Sequence, residues 1–233
     1  MSSRKLTWSL AAGAAAIAVA AGSYAIISAT SGSSPAPASS GFADGPRSGG
    51  GSNARSGPAS GGAAGTISSV SAPGFTLSTS AGQKVTVDEA PSTTYQNGTN
   101  PAPASALTTG EPVLVLGTTS GTTITATQVI AQPAGRGGSA ASPAAQVIPF
   151  QPGAPATSRQ AGQIPANWTQ GSGTIVSGTA ANKATEAALA AYPGGIVDRV
   201  VKLSNGDYNV HYIGVNWPHH IFVNQDFTVI GAE

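Results

Sequence analysis

The histidines of this chain, His211, His219 and His220, all lie near its C-terminal end, and imidazole is a common metal ligand and general base. His219 and His220 are adjacent, so in a strand they point to opposite faces. If the hairpin that contains them is symmetric about Trp217, His211 and His219 share a face but lie ~13 Å apart at ~3.3 Å per residue. This spacing favours ordinary sheet histidines over a shared zinc or copper ion.

Other catalytic arrangements find little support. Serines are abundant, but no Gly-x-Ser-x-Gly turn presents one as a nucleophile. The carboxylates of Asp198, Asp207 and Asp226 fall in predicted strands or turns, where no catalysis is needed to explain them. Gly171-Ser172-Gly173 lacks the third glycine of a dinucleotide fingerprint, and there is no Walker loop. The sequence therefore predicts no catalytic residue, no metal site, no cofactor and no enzyme activity.

Composition narrows the function classes further. The 233 residues include 31 Gly and 17 Pro with only 8% charged residues, so much of the length is not packed core. The net charge is +1 and the basic residues are scattered, which excludes the phosphate-neutralising surface that nucleic-acid binding requires. The absence of cysteine rules out disulfides, thiolate metal sites and a lipoprotein anchor.

The N-terminal segment predicts a membrane anchor. Residues 6–29 contain no charged side chain and match the ~20 apolar residues that cross a bilayer. Arg4 and Lys5 precede them and place the N-terminus in the cytoplasm. Because Ile27-Ser28-Ala29 is a poor cleavage site, residues 1–29 are predicted to be an uncleaved signal anchor. The chain is then a single-pass cell-membrane protein with its bulk extracytoplasmic, or a secreted one if the anchor is cleaved.

Two low-complexity stretches separate the foldable parts of the chain. Residues 30–63 are too poor in apolar side chains to offset the entropy of ordering, and predict a disordered Gly/Ser/Pro stalk. Residues 134–172 predict a Pro/Gly-rich linker. Apolar side chains interrupt this linker at Val147, Ile148, Phe150 and Trp168. They either pin the linker across a domain or form an exposed recognition segment.

Residues 64–133 predict a small antiparallel β-barrel or sandwich. Short Thr/Val/Ile-rich runs follow one another at intervals of about ten residues, with turn sequences between them. The run Val113-Leu114-Val115-Leu116 is apolar on both faces and indicates the most central strand.

The barrel segment resembles an OB-like module of exported bacterial proteins. The residues that carry the resemblance are GTISSV, GFTL, VTV, LTTGEPVLVLG and ITA. Such barrels bind oligonucleotides or sugars through aromatic platforms and basic grooves. Here the only aromatic residues are Phe75 and Tyr95, and the segment is mildly acidic. A structural or spacer barrel is favoured, with carbohydrate or peptide binding as the alternative.

Residues 173–233 predict one helix packed on an antiparallel sheet. Ser177 or Thr179 caps a helix that ends at Tyr192, before Pro193-Gly194-Gly195. Predicted strands follow at 196–203, 208–215, 220–224 and 227–230, and an Asn-Gly turn joins the first two. On its core-facing side the helix carries, at helical spacing, Ala181, Thr185, Ala188, Leu189 and Tyr192.

The predicted sheet has two apolar faces, and one short helix covers only one of them. With the symmetric register, residue 211 pairs with 223 and residue 213 with 221. The uncovered face must then meet the barrel, a second copy or a foreign protein. Since exposed aromatic residues carry most interface energy, the predicted partner-binding residues are Tyr208, Tyr212, Trp217 and Phe222.

This C-terminal part, over residues 178–231, resembles a PepSY domain of the small exported actinobacterial type. The resemblance is carried by ANKATEAALAAYPGGIV, DYNVH and DFTV. It implies a helix on an antiparallel sheet, outside the cytoplasm and associated with the restraint of peptidases. Asn216-Trp217-Pro218 replaces the Asp-Gly hairpin tip that is usual in those relatives, so the tip is expected to recognise something different.

Together these features predict a mainly β chain with an α+β part: a transmembrane helix, an OB-like barrel and a PepSY-like domain. The expected function is that of a membrane-anchored extracytoplasmic binding protein that regulates or inhibits an exported peptidase or another envelope protein. The alternative is a cell-wall or small-ligand binding protein that acts through the barrel. Nucleic acid is not an expected partner.

Overall fold

The computed structural model describes residues 57–131 and 146–233, which belong to one compact unit, Ser48–Glu233. The predicted signal anchor and most of the predicted stalk lie outside the described residues. Within the described ranges, no helix combines the length and the apolar character needed to cross a bilayer. The described chain is mainly β with one α-helix, as predicted.

The strands are numbered here in chain order. They are β1 Ala59–Ser71, β2 Gly74–Ser78, β3 Lys84–Asn97, β4 Asn100–Pro101, β5 Pro112–Ser120, β6 Thr123–Ala131, β7 Ile148–Pro149, β8 Ala161–Gly162, β9 Thr174–Ile175, β10 Ile196–Lys202, β11 Tyr208–Ile213, β12 Val215–Trp217, β13 His220–Val223 and β14 Val229–Ala232. Helix α1, Gly178–Ala191, lies between β9 and β10.

Five strands close into a barrel in the order β1-β2-β3-β6-β5-β1. The predicted barrel is therefore confirmed, but the expectation that it is purely antiparallel is wrong, because β3 and β6 run parallel. Residues 98–111 connect β3 to β5, but these two strands are not neighbours in the barrel. Strand β6 lies between them and pairs with both. The alternation of apolar residues indicates which face of a strand is buried, but it does not indicate the direction of the strand.

Branched apolar side chains fill the barrel. The largest fully buried ones are Ile67, Leu77, Val85, Val87, Val113 and Ile124. The predicted two-faced strand is confirmed: Val113 and Val115 point into the barrel, while Leu114 and Leu116 join a second core beneath α1. Strand β5 thus serves both cores.

Strand β1 begins at Ala59, inside the segment that was predicted as stalk. A Cβ at Gly61 would collide with the carbonyl oxygen of Val197, and one at Gly62 with that of Val115. The glycines that look like linker are thus positions where neighbouring backbones approach too closely for a side chain. Because β1 pairs with β5 and also with β10, one strand joins the barrel to the C-terminal sheet.

The C-terminal sheet continues from β1 in the order β10-β11-β13-β14-β8, all antiparallel. The predicted helix is confirmed, with Ser177 at its N-cap and Tyr192 at its C-cap. Its buried side chains are mostly alanines, so α1 lies close against β1, β10, β11 and β13.

The opposite face of this sheet is covered by the chain itself. Residues 146–172, called the strap here, pair with the sheet region through β7 on β12 and β8 on β14. Val147 and Ile148 pack against the core beneath α1, whereas Trp168 packs against Phe222 on the opposite face. Ile213, on the same face as Phe222, packs against the barrel core. The sequence left the barrel, a second copy or a foreign protein as the expected cover of this face. The barrel covers part of it at Ile213, and the strap, which was not among these alternatives, covers part of it at Phe222.

The four predicted partner-binding residues are core residues in this structure. Trp217, Tyr212 and Phe222 have no exposed surface, and Tyr208 is 7% exposed. Interface anchors must be exposed in the free protein, and the expectation that these four are exposed is wrong. The physical reason is that Tyr208, Tyr212 and Trp217 belong to the core beneath α1, and that Phe222 lies beneath Trp168 of the strap.

The predicted register of the second hairpin is also wrong. His211 pairs with His220 and Val210 with Ile221, instead of 211 with 223. The segment around Trp217 leaves the sheet to pair with β7, so the connection is longer than a tight turn and the register moves. His211 and His220 consequently share one face of the sheet.

Candidate functional site

A cleft of about 450 Å³ lies between the strap and the C-terminal sheet. All three histidines line it, although the sequence predicted separate faces for His219 and His220. The rest of the lining comes from the strap and the C-terminal residue: Thr157, Ser158, Arg159, Gln160, Trp168, Gln170 and Glu233. A cleft of this size is within the range of small-molecule sites.

His211 is held by an acidic neighbour. Its Nδ1 lies 2.6 Å from Oδ1 of Asp198, and Oδ2 of Asp198 accepts a hydrogen bond from Arg199 at 2.9 Å. A bulge between Val197 and Arg199 turns Asp198 toward the imidazole. Since a carboxylate accepts, Nδ1 carries the proton and Nε2 is left without a protein partner in the described ranges.

His220 is held in a different way and is uncharged. Its Nδ1 lies 3.2 Å from the amide oxygen of Asn209, which accepts the N–H. Burial is the largest cause that lowers the pKa of His220 to about 3, with further contributions from His211 and Arg199. The imidazole is therefore neutral at physiological pH, and its Nε2 presents a lone pair.

Aromatic contacts fix the floor of the cleft. The rings of His211 and His220 meet edge to face with centroids 5.0 Å apart. Trp168 lies 4.9 Å from the His220 ring and 5.2 Å from the Phe222 ring, and its indole stays partly exposed. Of the four predicted binding residues, Phe222 thus supports the cleft from beneath.

Trp217 positions the strap that forms the cleft wall. Its Nε1 donates to the carbonyl oxygen of Arg159 at 2.7 Å, and the Arg159 guanidinium lies 4.8 Å over the indole ring. One residue further on, Gln160 donates to the carboxylate of Glu233 at 3.3 Å. The buried Trp217 therefore acts on the cleft through the strap.

Sequence reasoning missed the strap residues of this site. Trp168 was noticed as an apolar exception in the linker, and that was the available signal for it. The prediction that such residues pin the linker is confirmed for Val147, Ile148 and Trp168, whereas Phe150 is 51% exposed. Gln160 and Gln170 gave no sequence signal at all.

For His220, ligand binding is favoured over proton transfer. A base whose pKa is about 3 takes up few protons near pH 7, far from the matched pKa of an efficient general base. Within the described ranges, no group of three histidine, aspartate or glutamate side chains is placed to hold a metal ion. Besides His211 and its partner Asp198, the lining offers polar side chains, an indole face and one charge of each sign from Arg159 and Glu233.

The chain matches no known protein family, no curated protein and no solved structure. The resemblances to a PepSY domain and an OB-like barrel therefore stay predictions.

A second cavity of about 620 Å³ lies near the β9–β10 edge. Its lining includes Asn167 and Thr174, and Lys202 is its charged side chain. No aromatic ring or histidine contributes to that lining. The histidine cleft has the richer set of directional groups and is the stronger candidate.

Proposed function

We propose that this chain is an extracytoplasmic binding protein without enzyme activity, which takes a cell-wall component or small ligand in the histidine cleft. The observation that carries the proposal is the pair His211 and His220. Each imidazole is fixed through Nδ1 by a protein partner, and each keeps Nε2 available. Groups held in place before a ligand arrives lose little entropy on binding, which favours affinity.

In this proposal the N-terminal segment anchors the protein in the cytoplasmic membrane and the stalk holds the folded unit outside it. The support is the uncharged run at residues 6–29 and the Gly/Ser/Pro-rich sequence that follows.

The barrel has a supporting role in this proposal. Its strand order and its parallel β3–β6 pairing support the OB-like assignment. Its interior is filled by apolar side chains, and β1 connects it directly to the C-terminal sheet. Cell-wall or small-ligand binding, which the sequence predicted as an alternative function of the barrel, is therefore proposed for the cleft instead.

The PepSY resemblance supports a second candidate, a regulator of an exported peptidase or another envelope protein. Helix α1 packs on the antiparallel strands β10, β11 and β13, an arrangement that the resemblance implies. A protein partner would have to contact the strap or the cleft rim, because the four predicted anchors are buried. Undiminished activity of every secreted peptidase of the host in the presence of the purified chain would exclude an inhibitor.

The main proposal is tested by following the imidazole nitrogen resonances of the full chain in detergent micelles. A low-mass extract of the host envelope is the probe, and it includes a muramidase digest of the cell wall. We expect shifts at His211 and His220, weakened in Gln170→Ala and retained in Phe150→Ala, an exposed position outside the cleft lining. Shifts confined to the barrel, or none with any fraction, would contradict the proposal.

A further inference from the structure

The side chains that line the cleft indicate which class of ligand it binds. This inference rests on the proposed binding function. We infer that the cleft binds a neutral saccharide, with one sugar face against Trp168 and hydroxyl groups on the imidazole, amide and carboxylate groups around it.

The charges in the cleft argue against an ionic ligand. Arg159 and Glu233 contribute one charge of each sign to the lining, and Glu233 accepts from Gln160. Behind the floor, Asp198 is paired with Arg199, and His220 is neutral because burial lowers its pKa. The lining side chains therefore bring no marked excess charge with which to hold a phosphate or an ammonium group.

The hydrogen-bonding groups match hydroxyls. Gln160 and Gln170 carry amides that both donate and accept, and Thr157 and Ser158 add hydroxyl groups. The Nε2 atom of neutral His220 accepts only, so the ligand must present a donor to it. A sugar hydroxyl donates and accepts, and satisfies each of these groups without bringing charge into the cleft.

The indole of Trp168 supplies the apolar part of the site. It is partly exposed, and its orientation is set by His220 and Phe222 beneath it. The C–H face of a sugar ring is the apolar surface that such a ring can cover. One aromatic face with several planar polar groups beside it is therefore the arrangement that a saccharide fits.

A peptide is disfavoured by the sheet edge beside the cleft. Extended peptides gain affinity by adding a strand to an open edge. On β14 the strap already pairs there, Gly162 with Gly231 and Ala161 with Ala232. A peptide in the cleft would lack that backbone ladder.

The test uses the full chain in detergent micelles and calorimetric titration. The probes are chitotriose, cellotriose and maltotriose, with trialanine and inorganic phosphate as the peptide and anion arms. We expect at least one trisaccharide to bind, with Gln170→Ala weakening it about tenfold, the equivalent of one lost hydrogen bond at ~1.4 kcal/mol. Phe150→Ala is the matched control and should bind as the wild type does.

Trp168→Phe keeps an aromatic ring in place and tests the platform separately. It should weaken trisaccharide binding severalfold while the chain keeps its melting temperature within a few degrees. If trialanine or phosphate binds in the cleft and no trisaccharide does, the saccharide inference is wrong and the cleft remains a binding site. If neither these probes nor the envelope extract moves the His211 and His220 resonances, both proposals fail together.

A second experiment tests whether the bound sugar belongs to the cell wall. Insoluble cell wall from the host is sedimented with the full chain, with and without an excess of the trisaccharide that binds best. Competition by the trisaccharide supports a wall polysaccharide as the ligand. Sedimentation unaffected by both the trisaccharide and Gln170→Ala would contradict wall recognition through the cleft.

Discussion

His211 and His220 are a cross-strand pair on β11 and β13, with ring centroids 5.0 Å apart. Their Nδ1 atoms are held by different partners, the carboxylate of Asp198 and the amide of Asn209. The pairing places on the floor of the cleft one imidazole beside a carboxylate and another beside a neutral amide.

The first prediction concerns pH and the stability of the fold. The folded-state pKa of His220 is about 3, against an ordinary value of 6.5. Between these values the unfolded chain binds a proton that the folded chain does not. Stability is therefore complete above pH 6.5 and falls as the pH falls toward 3, by at most ~1.4 kcal/mol per pH unit from this group.

Urea unfolding of the wild type at pH 7 and pH 5 measures this effect. His220→Gln removes the titrating group and keeps a polar side chain opposite Asn209. We expect the unfolding free energy of the variant to change less between pH 7 and pH 5 than that of the wild type. An equal change in both proteins would show that another group causes the pH dependence.

The second prediction concerns Trp217, which was expected to be an interface anchor. Trp217→Phe removes the hydrogen bond to the strap at the carbonyl oxygen of Arg159, while most of the ring packing remains. We expect a loss of about 1–2 kcal/mol in unfolding free energy and faster amide exchange in residues 157–162. Unchanged exchange in the strap would contradict its positioning by Trp217.

The third prediction concerns the glycines of β1. Gly61→Ala places a methyl group against the backbone carbonyl of Val197, which cannot turn aside as a side chain can. We expect a loss of several kcal/mol or failure to fold, because the strand shared by both cores must move. Ser60→Ala, one residue away, is the matched control and should cost less than ~1 kcal/mol. Similar melting temperatures for the two variants would argue against the shared strand.

The fourth prediction concerns Asp198. Arg199 is 8% exposed, so Asp198→Asn leaves a largely buried guanidinium without its anion and removes the acceptor that orients His211. We expect a loss of about 2 kcal/mol in stability, discounted because Asp198 is partly exposed, and weaker binding in the cleft. Asp207→Asn, in the exposed turn after β10, is the control. A smaller effect at Asp198 than at Asp207 would contradict the assignment.

Much of the fold could be predicted from the sequence because its signals are local. Helix α1 follows from alanine-rich periodicity between Ser177 and the Pro-Gly-Gly stop, and the first hairpin follows from its Asn-Gly turn. The burial of β5 on both faces could also be predicted from its continuous apolar run. The parallel pairing of β6 could not be predicted, because strand direction depends on which gap in the barrel remains to be filled.

The site was harder to predict, since it depends on contacts between distant segments. The register that pairs His211 with His220 is set because Trp217 leaves the sheet and pairs with Ile148 of β7. These two residues are 69 positions apart along the chain. Prolines recur through the strap and predict a linker, yet apolar side chains such as Val147 and Trp168 pack against the fold. Glycines that permit close packing have the same composition as glycines that permit flexibility.

The cleft itself is tested most directly by the nitrogen resonance of His220 Nε2 in the full chain. This atom carries a lone pair, and the described chain offers it no hydrogen-bond donor. Titration with the trisaccharide that binds best should move the resonance to lower frequency as the nitrogen accepts a hydrogen bond, and Gln170→Ala should require more ligand for the same shift. A resonance that stays in place with every trisaccharide and with the envelope extract would contradict a ligand site at this cleft.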